Sequence, residues 1–285
     1  MRFTTFFHGL KIGFVPYIDH INSFEVMQKR VAYIAALLIA FTAFFTLKEF
    51  FFAKGFHFFQ GFLNLYPLSF FLIYALVGIP AFLFVFLSNK NRFFAPLGLN
   101  GNILKAALVA FVFCIPMFVG YGFPSGFQVS IDGKEFWFGC VFAAFFEELY
   151  YRGFFFGQLY RKTNLGFFPA LIVPALIFAS LHLYQSKDSA TLLGIFITTF
   201  MGAGLFAWLY CEWNYNLWVP IFLHFFMNLS WGLFEDVSDN ALGDVNANIY
   251  RGMTIALAII GTLLYKRRMG LLLEVNKRTL LRKNE

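Results

Sequence analysis

The sequence predicts an all-α polytopic membrane protein with about eight transmembrane helices. Hydrophobic residues make up 60% of the 285-residue chain, aromatic residues 22% and charged residues only 13%. Soluble domains carry about 25% charged residues, and a soluble protein of this size could not bury so much apolar surface. The apolar residues also form long runs, and a membrane-spanning helix needs about 20 such residues in succession.

Eight runs have the length and hydropathy expected of a span. They cover roughly 31–52, 67–88, 103–122, 136–160, 167–183, 190–211, 216–234 and 249–265. The fifth run is short and contains Pro169 and Pro174, so we expect a kinked or irregular helix there. Residues 1–30 are predicted to form a cytoplasmic or interfacial segment without a cleavable signal peptide. Residues 31–265 then form one transmembrane domain, and residues 266–285 form a basic cytoplasmic tail.

Most of the 22 basic residues fall in alternate connections and in the C-terminal tail. This asymmetry predicts an integral protein of the cell membrane with both termini in the cytoplasm. Because the net charge of +7 is spread beside apolar runs, it indicates orientation in a membrane and not a nucleic acid partner. The three cysteines, Cys114, Cys140 and Cys211, lie inside apolar runs without paired spacing, so neither disulfides nor a thiolate zinc site is expected.

A group of charged residues interrupts the fourth apolar run at Glu147, Glu148 and Arg152. A charge at the bilayer centre costs about 2.5–3.5 kcal/mol even on lenient scales, so such residues indicate a functional site. Glu148 and Arg152 are four residues apart and are expected to pair on one helix face. Glu147 lies about 100° further round an α-helix and is suited to general acid or base catalysis. A charged cluster that only holds helices together is the alternative.

Two further polar groups lie in later apolar runs. Phe178 and His182 end the fifth run, where a single histidine can equally be structural or interfacial. His224 and Asn228 lie inside the seventh run, and their spacing of four places both side chains on one helix face. Hydrogen bonding between membrane helices is the alternative explanation for this second pair.

These three groups resemble, in their order and on separate helices, the signature of the CPBP family of CAAX proteases and bacteriocin-processing enzymes. The family pattern is Glu-Glu-x-x-x-Arg, then Phe-x-x-x-His, then His-x-x-x-Asn, and all three elements are intact here between residues 147 and 228. The resemblance implies an intramembrane endopeptidase whose CAAX-protease-like core covers about 136–234, with the active site inside the helical bundle.

The resemblance also implies a role for each motif residue. Glu147 and His182 would activate the attacking water, and His224 and Asn228 would stabilise the oxyanion. Glu148, Arg152 and Phe178 would hold the site in shape. The implied substrate is a membrane-associated or lipidated protein or peptide, such as a prenylated C-terminus or a bacteriocin-type peptide, with membrane lipid as the surrounding partner.

Two other functions are compatible with the same residues. Glu148, His182 and His224 could form a His₂Glu zinc site with Glu147 as general base. The compact His-Glu-x-x-His helix of many zinc proteases is absent from the sequence, so metal-free chemistry without a cofactor is favoured. A non-catalytic scaffold or transport-type protein is the other alternative, because buried charges and the glycine-rich sixth run also suit close helix packing.

Overall fold

The computed structural model describes residues 15–234 and 240–283. Within these ranges the chain forms helices and no strand, apart from one isolated antiparallel bridge between Leu165 and Arg282. The predicted all-α class is therefore confirmed. Half of the predicted N-terminal segment 1–30, residues 1–14, lies outside the described residues.

The helices cover the predicted apolar runs, although α1 extends beyond the first run at both ends and the second run is divided between α2 and α3. In chain order they are α1 (Val15–Leu63), α2 (Tyr66–Val77), α3 (Ile79–Ser88), α4 (Phe94–Leu97), α5 (Ile103–Gly122), α6 (Gly133–Glu135), a π-helix (Phe136–Phe156), α7 (Gly157–Lys162), α8 (Phe167–Ser180), a 3₁₀ turn (Leu183–Gln185), α9 (Ser189–Glu212), α10 (Trp218–Leu233) and α11 (Val245–Arg268). Helices α6, the π-helix and α7 follow one another without a break.

The predicted count of about eight spans is not confirmed. Five segments in the described chain are long and apolar enough to cross a membrane, namely α1, α5, α8 continued by its 3₁₀ turn to Gln185, α9 and α11. The pair α2 and α3, bent by 54°, makes a sixth if it is one span. The other two predicted spans contain the polar groups. The run at 136–160 holds three charged side chains, and α10 has only 16 residues, which at 1.5 Å per residue is shorter than a bilayer core of about 30 Å.

The ends of several helices are set by side-chain caps and by proline. Asn102 accepts a hydrogen bond from the N–H of Lys105 at the start of α5, and Asp188 accepts one from Thr191 at the start of α9. The latter bond lowers the pKa of Asp188. The break between α2 and α3 lies at Gly78, two residues before Pro80, which lacks the N–H that a continuous helix needs.

Stacked aromatic rings pack α1 and α2 against the π-helix. The ring of Phe41 lies 4.0 Å from that of Phe155, and the ring of Phe44 lies 4.1 Å from that of Tyr150. The Tyr150 hydroxyl donates to the carbonyl of Tyr74 at 2.7 Å, close to the α2–α3 break. The π-helix is thereby fixed on one side, which leaves its other side free to form the wall of a cavity.

The chain after α11 folds back onto the bundle. Its carbonyls at residues 279–281 accept hydrogen bonds of 2.8–3.1 Å from the N–H groups of residues 166–168. The first N–H groups of a helix have no partner within the helix, so this C-terminal segment caps α8. Glu212, at the end of α9, accepts further hydrogen bonds from the N–H groups of Glu274 and Val275.

Candidate active site

A cavity of about 1330 Å³ lies inside the helical bundle. Its walls come from the π-helix, α8, α9, α10 and α11. The four side chains predicted to be catalytic all line it, namely Glu147, His182, His224 and Asn228. Residues that are up to 81 positions apart in sequence thus line one cavity.

Glu148 links the first and third motifs by direct contact. Its Oε1 atom lies 3.1 Å from Nη1 of Arg152, as the spacing of four predicts, and 2.9 Å from Nδ1 of His224. Glu148 is fully buried and Arg152 is 2% exposed, so both charges depend on partners inside the protein. The contact with His224 joins α10 to the π-helix and directs the other ring nitrogen, Nε2, away from Glu148.

Aromatic rings surround the charged pair. The guanidinium of Arg152 lies 4.2 Å from the ring centre of Phe178 and 5.5 Å from that of Phe206. Phe206 also stacks on His224, with ring centres 5.3 Å apart. Within the described residues, Nη1 and Nη2 of Arg152 and Oε2 of Glu148 have no hydrogen-bond partner. The ion pair and the ring faces therefore stabilise the buried guanidinium.

The backbone at the end of α8 orients His182. Its Nδ1 lies 2.8 Å from the carbonyl oxygen of Phe178, and its ring centre lies 4.6 Å from that of Phe178. Nδ1 must carry the proton to bond a carbonyl, which leaves the Nε2 lone pair free. Helix α8 has 14 residues and is about 21 Å long, which is shorter than a bilayer core of about 30 Å.

Asn228 and Glu147 complete the polar lining. The side-chain amide of Asn228 donates to the carbonyl oxygen of Gly139 at 2.8 Å, which joins α10 to the first turns of the π-helix. An amide has two N–H groups, so one remains for a ligand. Glu147 is half-buried and faces the cavity from the π-helix.

The π-helix sets the relative position of these groups. Its hydrogen bonds run from residue i to i+5, and π-helices usually comprise a single turn and often mark functional sites. Here the π-helix continues for 21 residues and carries Gly139, Glu147, Glu148 and Arg152. A Cβ at Gly157, just beyond its end, would lie 2.7 Å from the carbonyl oxygen of Arg152. The tight fit explains why a glycine follows the π-helix.

Sequence reasoning missed several residues of the site. Phe206 is one of 45 phenylalanines, and Gly139 is one of 23 glycines, so composition offers no signal for either. Arg251 also lines the cavity; a charge at the start of the eighth apolar run was the available signal. Its guanidinium donates to the carbonyls of Ala241 and Leu242 at 2.6 Å, so it supports the neighbouring loop.

The residues of the zinc alternative do not form one cluster in the described part of the chain. Nowhere in the described ranges do three His, Cys, Asp or Glu side chains converge closely enough to hold one. Two of the proposed ligands, Glu148 and His224, are in direct contact with each other, and the third, His182, lies outside that pair.

Comparison with known proteins finds a family match over the segment that carries these residues. Residues 134–230 match the family model "Type II CAAX prenyl endopeptidase Rce1-like". This segment is similar to that family. The resemblance inferred from the three motifs is thereby confirmed, and the matched segment contains the π-helix, α8, α9 and most of α10.

One curated protein is similar over part of its length. The "Putative membrane peptidase YdiL" of Bacillus subtilis (strain 168) is 40% identical over 82 residues, which is 29% of each chain. The match thus spans less than a third of that relative. No solved structure matches the chain.

Proposed function

We propose that this protein is an intramembrane endopeptidase that hydrolyses a peptide bond in a membrane-associated or lipidated protein or peptide. The observation that carries the proposal is the meeting of Glu147, His182, His224 and Asn228 on one cavity. The walls of the cavity are apolar helices, and the similarity to a type II CAAX prenyl endopeptidase model over residues 134–230 supports the same reaction class.

Glu147 and His182 activate the water in this proposal. The Nε2 lone pair of His182 accepts a hydrogen bond from the water, because Nδ1 is held by the carbonyl of Phe178. The carboxylate of Glu147 takes the proton as the water oxygen attacks the carbonyl carbon of the substrate. When the C–N bond breaks, Glu147 returns this proton to the leaving amine, which makes it general base and then general acid.

His224 and Asn228 stabilise the oxyanion of the tetrahedral intermediate. His224 can donate both to Glu148 and to an oxyanion only if both ring nitrogens carry protons. The adjacent carboxylate of Glu148, 2.9 Å away, stabilises that charged form. Asn228 contributes its second N–H, since the first donates to Gly139. Two such donors in a low-dielectric cavity are the usual means of stabilising developing negative charge.

The test is cleavage of fluorogenic lipidated and unlipidated peptides by the purified protein in detergent, with and without a strong chelator. We expect Glu147→Gln to lower the rate by about 10²–10⁴-fold, the usual contribution of a general acid–base group. Glu49→Gln makes the same chemical change at an exposed position on α1 and should leave the rate unchanged.

The other outcomes discriminate between the alternatives. Cleavage that survives the chelator and is lost in Glu147→Gln supports metal-independent chemistry. Cleavage lost to the chelator and restored by zinc would show a metalloprotease. A Glu147→Gln protein that still cleaves would exclude the proposed catalytic role, and a wild type that cleaves none of the peptides would favour a scaffold or transport-type role.

A further inference from the structure

Helices α9 and α11 are clasped together at one end. The Nζ atom of Lys266 lies 2.5 Å from Oε2 of Glu212. Just beyond α9, the indole N–H of Trp213 donates to the hydroxyl of Thr262 at 3.0 Å, and its ring stacks on Tyr265 at 4.8 Å. These contacts hold the C-terminal end of α9 against the C-terminal end of α11.

Away from this clasp the two helices form opposite walls of the cavity. The lining contributed by α9 includes Met201 and Leu205, and that contributed by α11 includes Ile255 and Ile259. Helix α10 forms the back wall, because it packs against α5 and the π-helix and presents His224 and Asn228 to the cavity. The clasp bounds one end of the gap between the two helices, and the contact of Leu242 with Gly194 of α9 bounds the other end. Between these two ends the cavity leads to the candidate catalytic groups.

Two glycines lie at the outer edge of this gap, called its mouth below, where no atom packs against them. Gly202 on α9 and Gly252 on α11 both line the cavity, and a Cβ built on either would meet no atom within 4 Å. Neighbouring apolar side chains are also exposed, with Met201 at 67% and Met253 at 52%. In a membrane such surfaces face lipid, so the cavity is reached sideways from the bilayer.

The C-terminal segment limits access from the clasped end. Val275 and Leu280 line the cavity there, and Glu212 holds the segment by accepting the N–H groups of Glu274 and Val275 at 3.1 and 2.9 Å. Entry between α9 and α11 requires none of these hydrogen bonds to break.

The volume of the cavity indicates the size of its occupant. A cavity of about 150 Å³ holds benzene, with six carbon atoms, so a chain of about 20 carbons needs on the order of 500 Å³. The cavity of about 1330 Å³ is more than twice that size. An α-helix about 10 Å across that rises 1.5 Å per residue occupies on the order of 120 Å³ per residue. About three helical turns would therefore fill the cavity.

We propose that the opening between α9 and α11 admits a membrane-spanning segment of the substrate protein, which enters sideways from the bilayer. This inference rests on the proposed endopeptidase function and specifies its substrate class. The glycines at the mouth allow a substrate backbone to approach both helices closely, as small residues do at membrane helix contacts. The clasp at Glu212 and Lys266 is the fixed end of the opening.

The test narrows the mouth without altering the catalytic groups. Gly202→Phe and Gly252→Phe each place a ring in open space, and Gly61→Phe on α1, where a Cβ also meets nothing within 4 Å, is the matched control. Each protein is reconstituted in liposomes and given three substrates: a single-span protein, a lipidated soluble peptide and an unlipidated soluble peptide. The thermal unfolding temperature of each variant shows whether it is folded, and the leucine variants at both positions replace any that is not.

We expect both mouth variants to lower kcat/KM for the single-span protein, relative to the unlipidated peptide, by at least tenfold, and Gly61→Phe to leave this ratio unchanged. An unchanged ratio in both mouth variants would overturn the inference while leaving the peptidase function intact. A selective loss of lipidated-peptide cleavage would also overturn it, because the occupant would then be a lipid chain. If the wild type cleaves none of the three, the proposed function itself fails.

Discussion

One carboxylate oxygen of Glu148 contacts two cationic or polarisable groups, Arg152 at 3.1 Å and His224 at 2.9 Å. Removing one partner from a buried ion pair leaves an uncompensated charge and typically costs about 3–5 kcal/mol. Glu148 and Arg152 both belong to the π-helix, and Glu148 also contacts His224 of α10. In the proposed mechanism Glu148 acts through His224, as a positioning residue for the oxyanion site.

Two substitutions of Glu148 distinguish the contribution of its charge from the contribution of its size. We expect Glu148→Gln to lower kcat by about 10²–10³-fold, the typical effect of losing an oxyanion donor, because a neutral amide cannot stabilise a charged His224. Glu148→Asp keeps the charge on a shorter side chain and should retain more activity than Glu148→Gln. Steady-state kinetics and thermal unfolding of both proteins check this. If Glu148→Gln were the more active, the carboxylate would serve only to fill space.

At the scale of elements, sequence reasoning succeeded where local pattern decides the outcome. The apolar runs predicted the helices, and a spacing of four predicted the contact between Glu148 and Arg152. The π-helix was not predicted, because the same apolar composition suits an α-helix and the i to i+5 bonding depends on packing. The stacking of Phe206 on His224 was inaccessible for a related reason. It depends on how α9 and α10 approach one another, which no local pattern encodes.

The ion pair between Glu212 and Lys266 joins three elements. It links α9 to α11, and the same carboxylate binds the C-terminal segment that caps α8. Both side chains are buried. None of the three motifs predicted this pair. The available signal was a lone Glu at the end of one apolar run and a Lys at the end of another, since each is costly in a membrane unless it is paired.

Breaking this pair should destabilise the fold and loosen α8. We expect Lys266→Met to cost roughly 3–5 kcal/mol, because Glu212 is left buried without its cation. The double variant Glu212→Leu, Lys266→Met should have a higher free energy of unfolding than Lys266→Met alone. No unpaired charge then remains between α9 and α11. Thermal unfolding in detergent measures both. If Lys266→Met were as stable as the wild type, water would have to reach the Glu212 carboxylate in the folded protein.

At the scale of the whole molecule, α1 at Tyr33 and the C-terminal segment at Lys283 both contact α7. Tyr33 on α1 donates to Gln158 at 3.0 Å, and Lys283 donates to the carbonyl of Tyr160 at 2.6 Å. An even number of crossings satisfies this arrangement. The predicted number of eight counted every apolar run, but two of the three runs that carry the candidate site fail, the fourth on charge and the seventh on length.

The clustering of basic residues in alternate connections and in the C-terminal tail predicts the orientation in the cell membrane. Lys and Arg side chains near span ends favour the cytoplasm, so we expect the C-terminal segment to lie inside and the loop after the 3₁₀ turn to lie outside. Single-cysteine proteins Lys277→Cys and Lys187→Cys, both at exposed positions, report this with a membrane-impermeant maleimide. The three native cysteines are buried and are replaced by alanine. Labelling of Lys187→Cys in intact cells, with Lys277→Cys labelled only after permeabilisation, fits the expected orientation. The reverse pattern would place the basic end outside the cell. The clasped end of the α9–α11 opening would then also lie outside. A substrate span would have to meet the catalytic groups from the opposite leaflet.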